Sequence, residues 1–228
     1  MKDTENRGKK CVIIGAGETT QAELARLADE RRKGCLLIAA DGGYDMLEQE
    51  GILPDLVIGD FDSSTKFPEE TAASIVCIRL PREKDDTDLM AAIRVGIEKG
   101  CKAFELFGVL GGARFEHSVG NMMAGLYLKN RGMDVTIYGR DETCVYLGGG
   151  ENFLLPDTLP GGSYVSVLSL RDESRGIRIQ NMKYNVENFT MTNDLVTGLS
   201  NETLTGSQGC ISLEKGVLVI IYKECYTV

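Results

Sequence analysis

The strongest constraint on the fold is an alternation of two kinds of text up to residue 138. Short, largely apolar runs occupy residues 11–14, 36–40, 56–58, 75–80, 103–107 and 135–138. Helix-spaced text lies between them. Glu18 to Lys33 places Leu24, Leu27 and Ala28 on one face, and Tyr44 to Gln49 is a short helix closed by Gly51. Thr87 to Lys99 is amphipathic and stopped by Gly100, and Val119 to Asn130 forms a fourth helix. A strand exposed on one side alternates apolar with polar, and these runs do not. They predict a mostly parallel sheet with helices on both faces, an α/β arrangement.

From about residue 145 the helical spacing stops. Residues 165–170, 177–179, 189–191, 210–213 and 217–222 read as short strands between turn residues. Glu214-Lys215-Gly216 reads as a hairpin turn. The boundary falls near Gly148-Gly149-Gly150, giving an α/β domain over 1–144 and a smaller all-β sandwich over 145–228.

Polar residues gather where the first-half strands end: Asp41, Asp60, Asp62, Lys84 to Asp88, and Arg114 to His117. Open α/β sheets bind ligands on that edge. In Gly59-Asp60-Phe61-Asp62 two carboxylates stand two residues apart, so in extended backbone they point the same way and can share a hard cation. Without such a cation, this pair and the acids of Lys84-Asp85-Asp86-Thr87-Asp88 would repel each other. Helix capping explains one or two of that second group. The expected ion is Mg²⁺ or Mn²⁺; one histidine and no paired cysteines argue against zinc.

Gly111-Gly112-Ala113-Arg114 runs towards a helix. Such a loop offers N–H groups to an anion, and Arg114 adds a planar cation suited to phosphate. Gly15-Ala16-Gly17 resembles part of a dinucleotide fingerprint but lacks its third glycine. There is no GxxxxGK[ST] loop and no GxSxG elbow. The residues describe a metal-dependent enzyme acting on a phosphorylated nucleotide or sugar. A net charge of −9 argues against nucleic acid as partner. Seven cysteines without a CxxC pair read as reduced core thiols, which fits a cytoplasmic location. The polar first ten residues hold no signal-peptide core, and no apolar run is long enough for a membrane span.

Five stretches together resemble the thiamine pyrophosphokinase family. They are Ala40-Asp41-Gly42-Gly43, Gly59 to Ser63, Lys84 to Asp88, Gly111 to His117 with Asn121, and Gly198-Leu199-Ser200-Asn201-Glu202. The resemblance implies an N-terminal domain for ATP and Mg²⁺, a C-terminal sandwich that helps hold thiamine, and transfer of a pyrophosphoryl group from ATP to the thiamine hydroxyl with release of AMP. It also implies a homodimer with active sites shared between subunits. Asp60, Asp62 and Asp88 would hold the metal. Asp41, Gly42, Gly43, Lys84, Asp85, Gly111, Gly112, Arg114, His117 and Asn121 would surround the nucleotide, with Asp85 the candidate general base. Ser200 and Asn201 would meet thiamine. Two departures stand out: Ala113 precedes the arginine and Glu116 replaces an aspartate, and the chain has no tryptophan to stack on thiamine. The alternatives are a related pyrophosphokinase or a nucleotidyl or sugar transferase acting on another alcohol. A non-catalytic nucleotide sensor is a third class, which the intact acidic motifs argue against.

Overall fold

The computed structural model describes residues 9–60, 75–81 and 85–223. Asp62, Ser63 and Lys84 lie outside them. The chain divides into two units, Met1–Ala124 with Met133–Arg140, and Gly125–Gly132 with Asp141–Val228.

Among the described residues the first unit holds six strands: β1 (Lys10–Ile14), β2 (Leu36–Ala40), β3 (Leu56–Gly59), β4 (Val76–Arg79), β5 (Ala103–Phe107) and β6 (Asp134–Tyr138). They pair in the order β6-β5-β1-β2-β3-β4, every pair parallel. β2 and β3 are buried at every position, as expected for strands covered on both faces. Helix α1 (Gln21–Arg32) opens on a capping box. Thr20 Oγ1 accepts from the Glu23 N–H at 3.3 Å while Glu23 Oε2 accepts from the Thr20 N–H at 2.6 Å, and this sets the helix start at Gln21 rather than near Glu18. Leu24 and Leu27 of α1, and Tyr44 and Leu47 of α2 (Gly43–Gln49), pack on Val12, Ile14, Leu37, Ala39 and Val57. These sheet residues share one face, since register pairs Val12 with Leu37 and Ile14 with Ala39.

Helix α3 (Asp88–Glu98) covers the opposite face. A Cβ on its Gly96 would lie 2.7 Å from the Phe104 ring and 2.9 Å from Cys11 Sγ. Cys11 and Phe104 are register partners pointing away from Val12. Helix α4 spans Phe115–Lys129, so it begins four residues before the predicted Val119. Phe115 to His117 are exposed, and the stretch to Ser118 shows no apolar periodicity to signal a helix.

The second unit is two antiparallel sheets. One holds β12 (Asn201–Glu202), β9 (Tyr164–Ser169), β14 (Val217–Tyr222) and β7 (Thr143–Gly148), in that order. The other holds β11 (Val186–Met191), β10 (Ser174–Gln180), β13 (Cys210–Ser212) and β8 (Asn152–Leu154). Val165, Val167, Leu218 and Ile220 from the first sheet meet Ile177, Ile179 and Ile211 from the second in one core, the packing of a sandwich. Each such side chain contributes roughly 1.5–3 kcal/mol through burial.

Glu214-Lys215-Gly216 does not close a hairpin. β13 pairs with β10 and β8, and β14 with β7 and β9, so the segment crosses from one sheet to the other. Lys215 bridges to Arg175. Gly216 has φ 122°, and a Cβ there would lie 2.3 Å from Ser174 Oγ. A Gly-bearing segment between two strands announces a reversal but not which strand is the partner.

Candidate active site

The strand order of the first unit reverses between β1 and β5. From β1 the chain proceeds outward through β2, β3 and β4, then returns to place β5 on the other side. At such a reversal the connections leave in opposite directions and open a crevice outside the strand C-termini. A cleft of about 400 Å³ lies there.

Its floor is where β1 and β5 end. Gly15 N donates to Phe107 O at 2.8 Å and Gly17 N to Gly108 O at 2.7 Å. A Cβ on Gly15 or Gly17 would come within 2.8 or 2.6 Å of Gly108 O. Close backbone passage therefore accounts for both glycines, and no dinucleotide is needed to explain them.

One wall comes from β2 and α3. Asp41 follows β2 with φ 50°, and its N–H donates to Ile58 O at 2.8 Å. Asp41 lines the cleft, whereas Gly42 and Gly43 do not. Gly43 instead presses on β1: a Cβ there would lie 2.3 Å from Ile14 O. Asp60 follows β3 at the same edge, and a Cβ on the preceding Gly59 would come 3.2 Å from Asp41 Cα. Thr87 caps α3, its Oγ1 accepting from Met90 N at 3.2 Å. Asp88, the first helical residue, faces the cleft with its charge at the positive end of the helix. Asp86 forms an ion pair with Arg94, and Asp85 is exposed outside the lining.

The opposite wall is the loop from Gly108 into α4. Gly111 and Gly112 hold φ 79° and 81°, with open space where a Cβ would point; backbone conformation, not crowding, calls for glycine here. The Gly111 N–H donates to Ser118 Oγ at 3.0 Å, so it stays within the loop. Asn121 Nδ2 donates to Val109 O at 2.7 Å and ties the helix to the end of β5. Arg114 Nε donates to Glu116 Oε1 at 2.8 Å, which holds the Glu116 carboxyl below the usual range. Gly111, Gly112, Arg114, Glu116, His117 and Asn121 all line the cleft.

Of the residues predicted to surround nucleotide and metal, Asp41, Asp88, Gly111, Gly112, Arg114, His117 and Asn121 share one cleft. Asp60 is not in its lining and directly follows β3, and Asp62 and Lys84 fall outside the described residues. Among the described residues no three of His, Cys, Asp or Glu group closely enough to hold a metal. The predicted triad needs Asp62, so it lies beyond that comparison. The donors on this edge are carboxylates, which suit a hard cation. The described cysteines sit mostly in the core. Sequence reading missed Thr87, Met90 and Ala16 in the lining; none of these residue types carries a chemical signal.

In the second unit, Ser200 is exposed with φ 58°, its N–H donating to Ser166 Oγ at 3.2 Å. Asn201 is only 7% exposed. Its Nδ2 donates to Tyr184 O at 2.7 Å, and its Oδ1 accepts from Tyr184 N at 3.0 Å and Glu202 N at 2.8 Å. Among the described residues no helix is long and apolar enough to cross a membrane.

Residues 28–137 match the family model for the thiamin pyrophosphokinase catalytic domain, and residues 154–218 match that for the thiamin pyrophosphokinase vitamin B1 binding domain. The thiamine pyrophosphokinase of Bacillus subtilis (strain 168) is 27% identical over 213 residues, 92% of this chain and 96% of its own. A crystal structure of thiamine pyrophosphokinase from Bacillus subtilis is similar with a TM-score of 0.82 at 25% identity, covering 96% of this chain and 100% of that one. The yeast thiamin pyrophosphokinase structure shares the fold, with a TM-score of 0.75 at 11% identity, covering 96% and 88%.

Proposed function

The chain belongs to the thiamin pyrophosphokinase family, and from that premise we propose how its residues carry the reaction. The activity is thiamine diphosphokinase: a pyrophosphoryl group moves from ATP to the hydroxyl of thiamine, and AMP leaves. The observation that carries the mechanism is the cleft at the β1–β5 reversal, which sets acids on one wall against a glycine-arginine loop on the other.

The acceptor hydroxyl attacks the β-phosphorus, so catalysis is mostly positioning and neutralisation of charge. Asp60, Asp62 and Asp88 would hold Mg²⁺ or Mn²⁺, which supplies charge neutralisation on the phosphate oxygens when bound. Arg114 turns from Glu116 to a phosphate, since a guanidinium binds a doubly charged phosphate more strongly than one exposed carboxylate. Lys84 and His117 would add donors for the phosphates, Asp41 fixes the end of β2 against the nucleotide, and Gly111 and Gly112 let the phosphates approach the backbone. Asn121 keeps the loop registered through Val109. Asp85 accepts the hydroxyl proton, its exposed side chain open to an incoming alcohol.

In this reading residues 1–144 bind ATP and the metal, and residues 145–228 bind thiamine at the Ser200-Asn201 turn. The protein acts as a cytoplasmic homodimer, each site completed by the partner subunit's sandwich. Incubation with Mg-ATP and thiamine, followed by phosphorus NMR, tests the assignment. Equal amounts of AMP and thiamine diphosphate are expected; ADP with thiamine monophosphate would overturn it.

A further inference from the structure

The Asn201 side chain is engaged on three sides by backbone. It bonds both the N–H and the C=O of Tyr184 and also the Glu202 N–H. A primary amide has two donor hydrogens and two acceptor lone pairs, so three of its four bonding positions are taken. The side chain is also nearly enclosed. Both properties suit a strut better than a substrate ligand.

What the strut holds is short and specific. Met182 bridges Thr203, the Lys183 N–H donates to Glu202 O at 2.9 Å, and Tyr184 lies opposite Asn201. Residues 182–184 thus form a brief antiparallel ribbon with 201–203. Lys183 Nζ lies 2.7 Å from Glu202 Oε1 and 5.5 Å from the centre of the Tyr184 ring. Tyr184 itself is 58% exposed, an uncommon position for an aromatic whose backbone is so firmly held. The ribbon fixes the Tyr184 backbone against the side chain of Asn201, which follows Ser200 in the chain. An aromatic face attracts flat and cationic groups, and thiamine's thiazolium ring is both.

We propose that Asn201 is a positioning residue acting through Tyr184: its amide fixes the backbone at 184, and the Tyr184 ring is the surface on which thiamine's cationic ring docks. The inference rests on the thiamine reading above. It reassigns Asn201 from substrate contact to support, and it names the aromatic that stands in for the missing tryptophan.

The test pairs steady-state kinetics with amide hydrogen exchange on full-length Asn201→Ala, Tyr184→Ala and the double variant. Asn201→Ala should speed exchange at the Tyr184 amide. It should raise KM for thiamine about 10-fold, the loss of roughly one aromatic contact, while KM for ATP stays within about twofold. Tyr184→Ala should raise KM for thiamine at least as much, and the double variant should be no worse than Tyr184→Ala. Asn201→Asp keeps the acceptor oxygen and serves if the alanine variant does not fold; it too should loosen Tyr184. Additive effects in the double variant, a normal thiamine KM in Tyr184→Ala, or unchanged Tyr184 exchange would each overturn the proposal. Failure of the thiamine reading itself shows separately, as wild-type protein that forms no thiamine diphosphate, and the exchange measurement still judges the strut.

Discussion

Replacing Gly43 with alanine separates packing from ligand binding at a residue whose motif suggests the nucleotide. The added Cβ would sit 2.3 Å from Ile14 O and 2.8 Å from Ile14 C. Ordinary carbon–oxygen contact lies about 1 Å further out. The obstacle cannot rotate away. It is backbone of β1, which is paired with β2 on one side and β5 on the other. Overpacking against rigid backbone falls near the top of the usual range, about 3 kcal/mol. Alanine recovers up to about 1 kcal/mol of helix propensity in α2, leaving a net loss of about 2 kcal/mol. For a chain of this size that lowers the melting temperature by about 4–8 °C. Urea unfolding followed by circular dichroism measures it, with Gly120→Ala as control. Position 120 is helical with open space for a Cβ, so that change should stabilise by about 0.5–1 kcal/mol. If Gly43→Ala left the midpoint unchanged and raised KM for ATP instead, the packing account of this glycine would be wrong.

Three further outcomes are expected. Asp60→Asn and Asp62→Asn should each lower turnover by about 100-fold or more while the fold persists; near-wild-type rates in both would reduce the pair to an ordinary turn. Glu116→Gln removes the charge from Arg114's 2.8 Å partner and should lower KM for ATP by about 2–5-fold, the scale of an exposed ion pair. An unchanged KM would mean that the pair does not compete with phosphate. Burial pushes the Cys144 thiol up to about 12 and the Cys35 thiol up to about 11. Unfolded thiols titrate near ~8.5, so the unfolded chain loses these protons first and stability falls as pH climbs from there towards the folded values. The unfolding midpoint should drop across that window and drop less in a Cys35→Ala, Cys144→Ala variant; equal slopes would refute the linkage.

The parallel sheet was legible because central strands such as β2 and β3 are buried on both faces, which leaves apolar runs such as Leu36 to Ala40 with no polar interruption. The sandwich was harder to read. β8 has three residues and β12 two, too short for any periodicity, and β7 was lost beside the glycines that follow it. The acids and the glycine-arginine loop could be located because they punctuate strand ends. What those neighbours do could not be read. Gly43 meets Ile14, Gly17 meets Gly108, and Asn201 meets Tyr184, pairs far apart in sequence. Nothing local marks such a glycine as a spacer or such an asparagine as a strut. Glu116 departs from the family's aspartate, yet only the folded structure shows it holding Arg114.

The central claim is attack at the β-phosphorus, and the fate of single labelled phosphates tests it most directly. ATP labelled at the β-position, incubated with thiamine, Mg²⁺ and the protein, should deliver all consumed label to thiamine diphosphate, while ATP labelled at the α-position should leave its label in AMP. β-Label recovered in ADP, with thiamine monophosphate as the other product, would contradict the account.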